Sequence, residues 1–115
     1  MESIFINDIF AMIYQAFKNL YPDKNCVCCW DENLGSDNEG NKVYGITNFE
    51  NDGNITLYIT TELPVCDCAE ILAHELAHVA VGYENNHNDI WEKAFDDIFN
   101  EYNKVTKQYG VEVKE

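Results

Sequence analysis

This 115-residue chain contains three histidines, and two of them, His74 and His78, stand four positions apart with Glu75 between them. On a helix, side chains at that spacing lie one above the other, their Cβ atoms about 5–6 Å apart. Two imidazoles placed so can converge on a single ion, with Zn–N bonds of about 2.0–2.1 Å. Glu75 is rotated about a third of a turn from His74. That makes it a poor third ligand but a well-placed acceptor for a proton from a zinc-bound water. Zinc lowers the pKa of such a water and polarises a scissile carbonyl, while the carboxylate takes the proton and can hand it to the leaving amine. The spacing therefore points to a hydrolytic zinc site.

Catalytic zinc needs a third protein ligand and one open position. His87 leads for that place because it stands at the head of the next expected helix. Glu101 is the alternative, since one family of zinc peptidases takes its third ligand as a Glu from the helix after the motif. Glu84 is a more distant choice. Tyr83, a few residues past the paired histidines, could donate to the oxyanion of a tetrahedral intermediate, although a tyrosine in a turn is more often just packed.

These residues need elements to carry them. Residues 3–20 place Ile6, Ile9, Phe10, Ile13, Phe17 and Leu20 at helical spacing, with Pro22 just beyond. Residues 26–30 form a short apolar run that could be a strand, and 31–41 read as a loop rich in Gly, Asn and Asp. Two β-favouring runs, 43–49 and 54–60, flank Asn51-Asp52-Gly53, an Asp-Gly hairpin signal. The histidine helix is expected over 68–81, opened by an Asp67–Glu70 capping box and closed by Gly82 in a left-handed cap. A last helix starts near Asn86 or Asn88 and runs to about residue 109, with Trp91, Ala94, Phe95, Ile98, Tyr102 and Val105 along one stripe. The order is helix, two or three strands, helix, helix. That is an α+β domain spanning residues 1–115 as one unit.

Composition narrows the partners. Seven Lys plus Arg against 21 Asp plus Glu give a net charge of −14. Such a field repels phosphate backbones and anionic membrane surfaces, so no nucleic-acid partner is expected. It favours neutral or basic polypeptides, weakly and in a salt-dependent way. Five cysteines fall in two clusters, Cys26, Cys28 and Cys29, then Cys66 and Cys68. An odd count without a secretory signal fits reduced thiols and a cytoplasmic location, with no membrane segment. Four thiolates from Cys26, Cys28, Cys66 and Cys68 could hold a second metal, but structural zinc prefers wider C-x₂₋₄-C spacing. Small hydrophobes are the better reading of these thiols.

The stretch His74-Glu75-Leu76-Ala77-His78, with Gly82 and then His87-Asn88-Asp89-Ile90-Trp91, resembles the SprT-like and WLM-type zincin metallopeptidases. The resemblance covers residues 71 to about 95. It implies a minimal zincin-like fold: an N-terminal helix, a small, mostly antiparallel sheet, the HExxH helix and a C-terminal helix. It further implies zinc held by His74, His78 and His87, Glu75 as general base and Trp91 packed behind the site. Zincins bind substrate as an added strand along a sheet edge, and the strand at 54–60 matches that position, with Tyr58 or Thr60 lining the cleft. Many SprT-like proteins act on DNA-linked proteins through a basic module and a zinc ribbon, and this chain has neither. It also lacks the HExxHxxGxxH spacing of metzincins. Two other readings stand beside the peptidase: a non-catalytic interaction protein stabilised by its metal, and a regulatory protease of the ImmA type that cleaves a repressor.

Overall fold

The structure is a computed structural model that describes residues 9–108. Its elements run α1 (Ile9–Leu20), β1 (Val27–Asp31), β2 (Gly45–Phe49), β3 (Ile55–Thr60), α2 (Val65–Val81) and α3 (Asp89–Gln108). Residues 3–8 of the expected first helix, and Tyr109, lie outside the described residues. The result is an α+β arrangement of three helices and one three-stranded sheet.

Helix α2 lies against β2 and β3 on one side and meets α1 and α3 on the other. A helix enclosed in this way must be apolar around most of its circumference. Accordingly Cys68, Ala69, Leu72, Ala73, Leu76, Ala77 and Val79 are all buried. Ala69, Ala73 and Ala77 recur every four residues, and such small side chains let neighbouring helices come close. They pack into one cluster with Ile13 and Phe17 of α1, Leu57 and Ile59 of β3, and Ala94 and Ile98 of α3.

The sheet departs from the sequence expectation. Its order is β1-β3-β2, with β2 antiparallel to β3 but β1 parallel to it. The expected mostly antiparallel sheet is therefore an evenly mixed one. The 50–54 hairpin forms as its Asp-Gly signal predicts: Glu50 N–H donates to Asn54 O, Gly53 N–H donates back to Glu50 O, and Gly53 takes φ 90°. Residues 32–44 then have to carry the chain from the end of β1, across the end of β3, to the start of β2. They turn tightly on the way, with the Asp37 carboxylate accepting from the N–H groups of Glu39 and Asn41. This topology puts β3 in the centre. The strand at 54–60 is thus not an edge, and both of its neighbours already occupy its hydrogen-bonding sides.

Helix ends also differ in part. Helix α2 starts at Val65, directly after Pro64, with no side-chain cap, so the Asp67–Glu70 capping box does not form. Asp67 instead lies inside the first turn, where its charge complements the helix dipole. At the other end Gly82 takes φ 85° and ψ 165°, and its N–H reaches His78 O at 2.9 Å. The positive φ is as expected, but this ψ lies outside the left-handed helical region, in one essentially open only to glycine. Among the described residues no helix is long and apolar enough to cross a membrane.

Candidate metal centre

One helix supplies two of the three histidines, and a turn supplies the third. His74 and His78 sit one turn apart on α2, with ring centroids 5.0 Å apart. His87 belongs to the turn between α2 and α3, and three asparagine contacts build that turn. Asn85 Nδ2 donates to Val81 O at 2.9 Å, Asn88 Nδ2 donates to Asn85 Oδ1 at 2.9 Å, and Asn88 Oδ1 caps α3 by accepting from Trp91 N–H at 3.0 Å. His87 itself is held at φ 57°, the left-handed region that side-chain-bearing residues seldom adopt. Strain of that kind persists where the surrounding contacts over-determine it, and here it swings the imidazole back over α2.

The three Nε2 atoms converge. His87 Nε2 is 2.9 Å from His74 Nε2, and His78 Nε2 is 3.3 Å from His74 Nε2. The ligand atoms of all three histidines lie within 4.8 Å of one another, close enough to hold a metal ion among them; ligand nitrogens around a tetrahedral zinc with bonds of about 2.0–2.1 Å stand about 3.3–3.4 Å apart. Among the described residues this is the group of His, Cys, Asp and Glu side chains whose ligand atoms come together closely enough to hold a metal ion. Burial, then His74 and His87, push the His78 pKa down to about 4. Burial and His87 also lower that of His74. Imidazoles kept neutral in this way are in the protonation state a metal requires.

Glu75 lies beside the cluster, its Oε2 3.9 Å from His74 Nε2. Its carboxylate is pressed against β2. Thr47 Oγ1 donates to Glu75 Oε1 at 2.5 Å. Gly45 lies so close that a Cβ there would come within 2.7 Å of both Glu75 Oε2 and Ile71 Cγ2. Burial raises the Glu75 pKa to about 7, opposed in part by the Thr47 hydroxyl. Neither Gly45 nor Thr47 stood out in the sequence. A glycine inside a β-favouring run was the available signal, since it marks close approach of another group. Ala at position 45 should crowd both Ile71 and the carboxylate, lowering stability by about 1–3 kcal/mol. Thermal unfolding of the metal-free variant checks this.

The cleft around these groups holds about 360 Å³ and is walled by Gly45, Ile46, Thr47, Phe49, Tyr83 and Asn86. Tyr83 is 70% exposed and sets its ring edge-on to Phe49 at 5.7 Å. Trp91 closes the back: its indole N–H donates to His74 O at 3.3 Å, and its ring lies 4.6 Å from that of His74 and stacks on Phe95.

Four sequence candidates fall elsewhere. Glu101 accepts from Asn19 Nδ2 at 3.1 Å and faces Lys104, tying α3 to α1. It lies more than three helical turns beyond the start of α3, on the order of 18 Å along the axis, which is why it does not join the histidines. Glu84 is exposed and is not part of the converging group. Tyr58 and Thr60 do not line the cleft because β3 is central, and Thr60 is buried with its hydroxyl accepting from Glu62 N–H. The strand beside the histidines is β2, whose outer edge is unpaired by any described strand. All five thiols are free, and the two cysteine clusters do not converge on a common metal position. No protein-family profile, no curated protein and no solved structure matches this chain.

Proposed function

We propose that the chain is a zinc-dependent peptidase acting on extended polypeptide segments. The observation that carries this reading is the convergence of three imidazole nitrogens beside a carboxylate that is buried, held by one hydroxyl and with its pKa raised to about 7. Imidazole ligands suit several transition metals, but three of them next to a carboxylate base favour zinc hydrolysis. When bound, zinc supplies Lewis acidity to a water and to the substrate carbonyl.

The remaining chemistry belongs to the chain. Glu75 accepts the proton of the attacking water and returns it to the leaving nitrogen, and a pKa near the working pH suits both transfers. Thr47 occupies Oε1 and so directs Oε2 towards the reacting groups. Tyr83, free to turn at the cleft wall, offers its hydroxyl to the oxyanion. No described strand pairs with the outer edge of β2 along the cleft, where a substrate segment can add as a further strand, with Ile46 and Phe49 alongside. An edge strand beside an HExxH helix, with a third histidine at the head of the next helix, also supports a minimal zincin-like fold and the SprT-like resemblance. The charge of −14 favours neutral or basic substrate and disfavours DNA.

Elemental analysis of the purified chain should find one zinc. Unstructured neutral-to-basic peptides should be cleaved, cleavage should stop when a chelator removes the metal, and added zinc should restore it. A chain loaded with one metal that leaves every such peptide intact would refute the peptidase reading and favour a metal-stabilised interaction protein.

A further inference from the structure

The N-terminal cysteines take no part in the metal centre, yet two of them are arranged unlike core thiols. Cys68 shows what a structural thiol looks like: it is buried, and its S–H donates to Thr60 O at 3.2 Å and Leu63 O at 3.3 Å. Cys26 and Cys28 differ. Both are half-buried, and they line one cavity of about 300 Å³ together with Tyr14, Trp30 and Leu72. The two thiols and the Tyr14 hydroxyl lie near enough to shift one another's ionisation.

We propose that Cys26 and Cys28 form a thiol–disulfide exchange site, with Cys26 as the attacking sulfur and Cys28 as the resolving one, taking a small neutral or cationic disulfide as co-substrate. The groups that face Cys26 come from two elements, Tyr14 and Lys18 on α1 and Cys28 on β1, while α2 adds the apolar Leu72 to the cavity. The first and last carry a hydroxyl and a thiol that can donate to a thiolate, and Lys18 is a cation, its ammonium held by Pro22 O, Lys24 O and Asn25 Oδ1. That is the environment that activates a thiolate, in contrast to the apolar burial that silences one. In keeping with it, Cys26 is held below the ordinary thiol range, chiefly by the neighbouring Cys28 thiol, while Cys28 is pushed well up by Cys26 and by burial. The acidic surface disfavours an anionic disulfide.

The step balances without any further reagent. The Cys26 thiolate attacks one sulfur of the co-substrate, its S–S bond breaks, and one thiolate leaves and takes a proton from water. Cys28 then loses its proton and attacks Cys26 Sγ, releasing the second thiol. Two protein thiols become one disulfide, and one small disulfide becomes two thiols. Backbone geometry makes the product easily reversible. Two residues of extended strand span about 6.7 Å between Cα atoms, near the upper limit for a disulfide. Cys26 precedes Val27, the first residue paired with β3, so no ladder bond stops it from turning inward. A bridge closed under such strain is readily reduced again.

The test treats the reduced full-length chain with hydroxyethyl disulfide and maps the products by peptide mass spectrometry. A Cys26–Cys28 bridge is expected in the parent, and a mixed disulfide trapped on Cys26 in Cys28→Ser. Alkylation of the parent by iodoacetamide supplies an independent readout that needs no variant. The rate at Cys26 relative to free cysteine should rise at least about threefold between pH 9 and pH 6.5, as a lowered thiol pKa requires. Adducts that form first on Cys29 or the exposed Cys66, or a rate ratio that does not change with pH, would overturn the proposal.

Discussion

Glu75→Gln is expected to keep one zinc per chain and the native fold while peptide hydrolysis falls about 10²–10⁴-fold, the range that a positioned general base contributes. Glutamine preserves the side chain's shape and can still accept the Thr47 hydroxyl bond, but its amide cannot take a proton from water. The same substitution should change stability in a direction set by burial. The folded-state pKa of Glu75 is raised to about 7 from an ordinary 4.5. The native state therefore holds a proton that the unfolded chain has released, and this contribution is complete below pH 4.5 and lost as pH rises through 7. At pH 8 the metal-free parent carries a buried charge that the amide lacks. Metal-free Glu75→Gln should then be the more stable, by up to about 3 kcal/mol. Chemical denaturation of both proteins in chelator at pH 8 and again at pH 4 measures it, and the difference should vanish at the lower pH. An active variant, or one less stable than the parent at pH 8, would rule out the base and its burial respectively.

Removing a histidine should have the largest effect on the metal itself. If zinc binding of about 10 kcal/mol is shared among three imidazoles, losing one costs about 3 kcal/mol, a drop in affinity of more than a hundredfold. His74→Ala, His78→Ala and His87→Ala should each lose zinc to a competing chelator that the parent resists, and with it the added thermal stability that bound metal confers. Glu101→Ala should retain its zinc, because that carboxylate is engaged with Asn19. Retention of zinc by His87→Ala would break the three-histidine assignment. Acid acts on the same residues. The folded His78 pKa is depressed to about 4 from an ordinary 6.5, so the unfolded chain takes up a proton that the native state refuses. Through His78 the metal-free protein is therefore destabilised as pH falls from about 6.5 to 4, while Glu75 acts in the opposite direction over much of that window.

Much of this architecture is local, and the sequence by itself determined the local part. The apolar spacing of α1 and α3 follows from 3.6-residue periodicity, and the 50–54 hairpin from its Asp-Gly pair. The stacking of His74 on His78 follows from a four-residue spacing that any helix would honour. Gly82 and Asn88 mark helix ends through their own backbone and side-chain chemistry. Strand order is different, because alternation shows which face of a strand is buried and says nothing of which strand lies beside it. Tertiary packing alone placed β1 parallel to β3, moved the 54–60 strand to the centre and brought β2 to the histidines. Only then did Gly45 and Thr47 meet Glu75, 28 residues from Thr47 along the chain. The same packing directed Glu101 towards α1 and away from the three histidines. A motif on one helix is dictated by rise and rotation per residue. The groups that tune it come from elements whose positions depend on burial of the whole core.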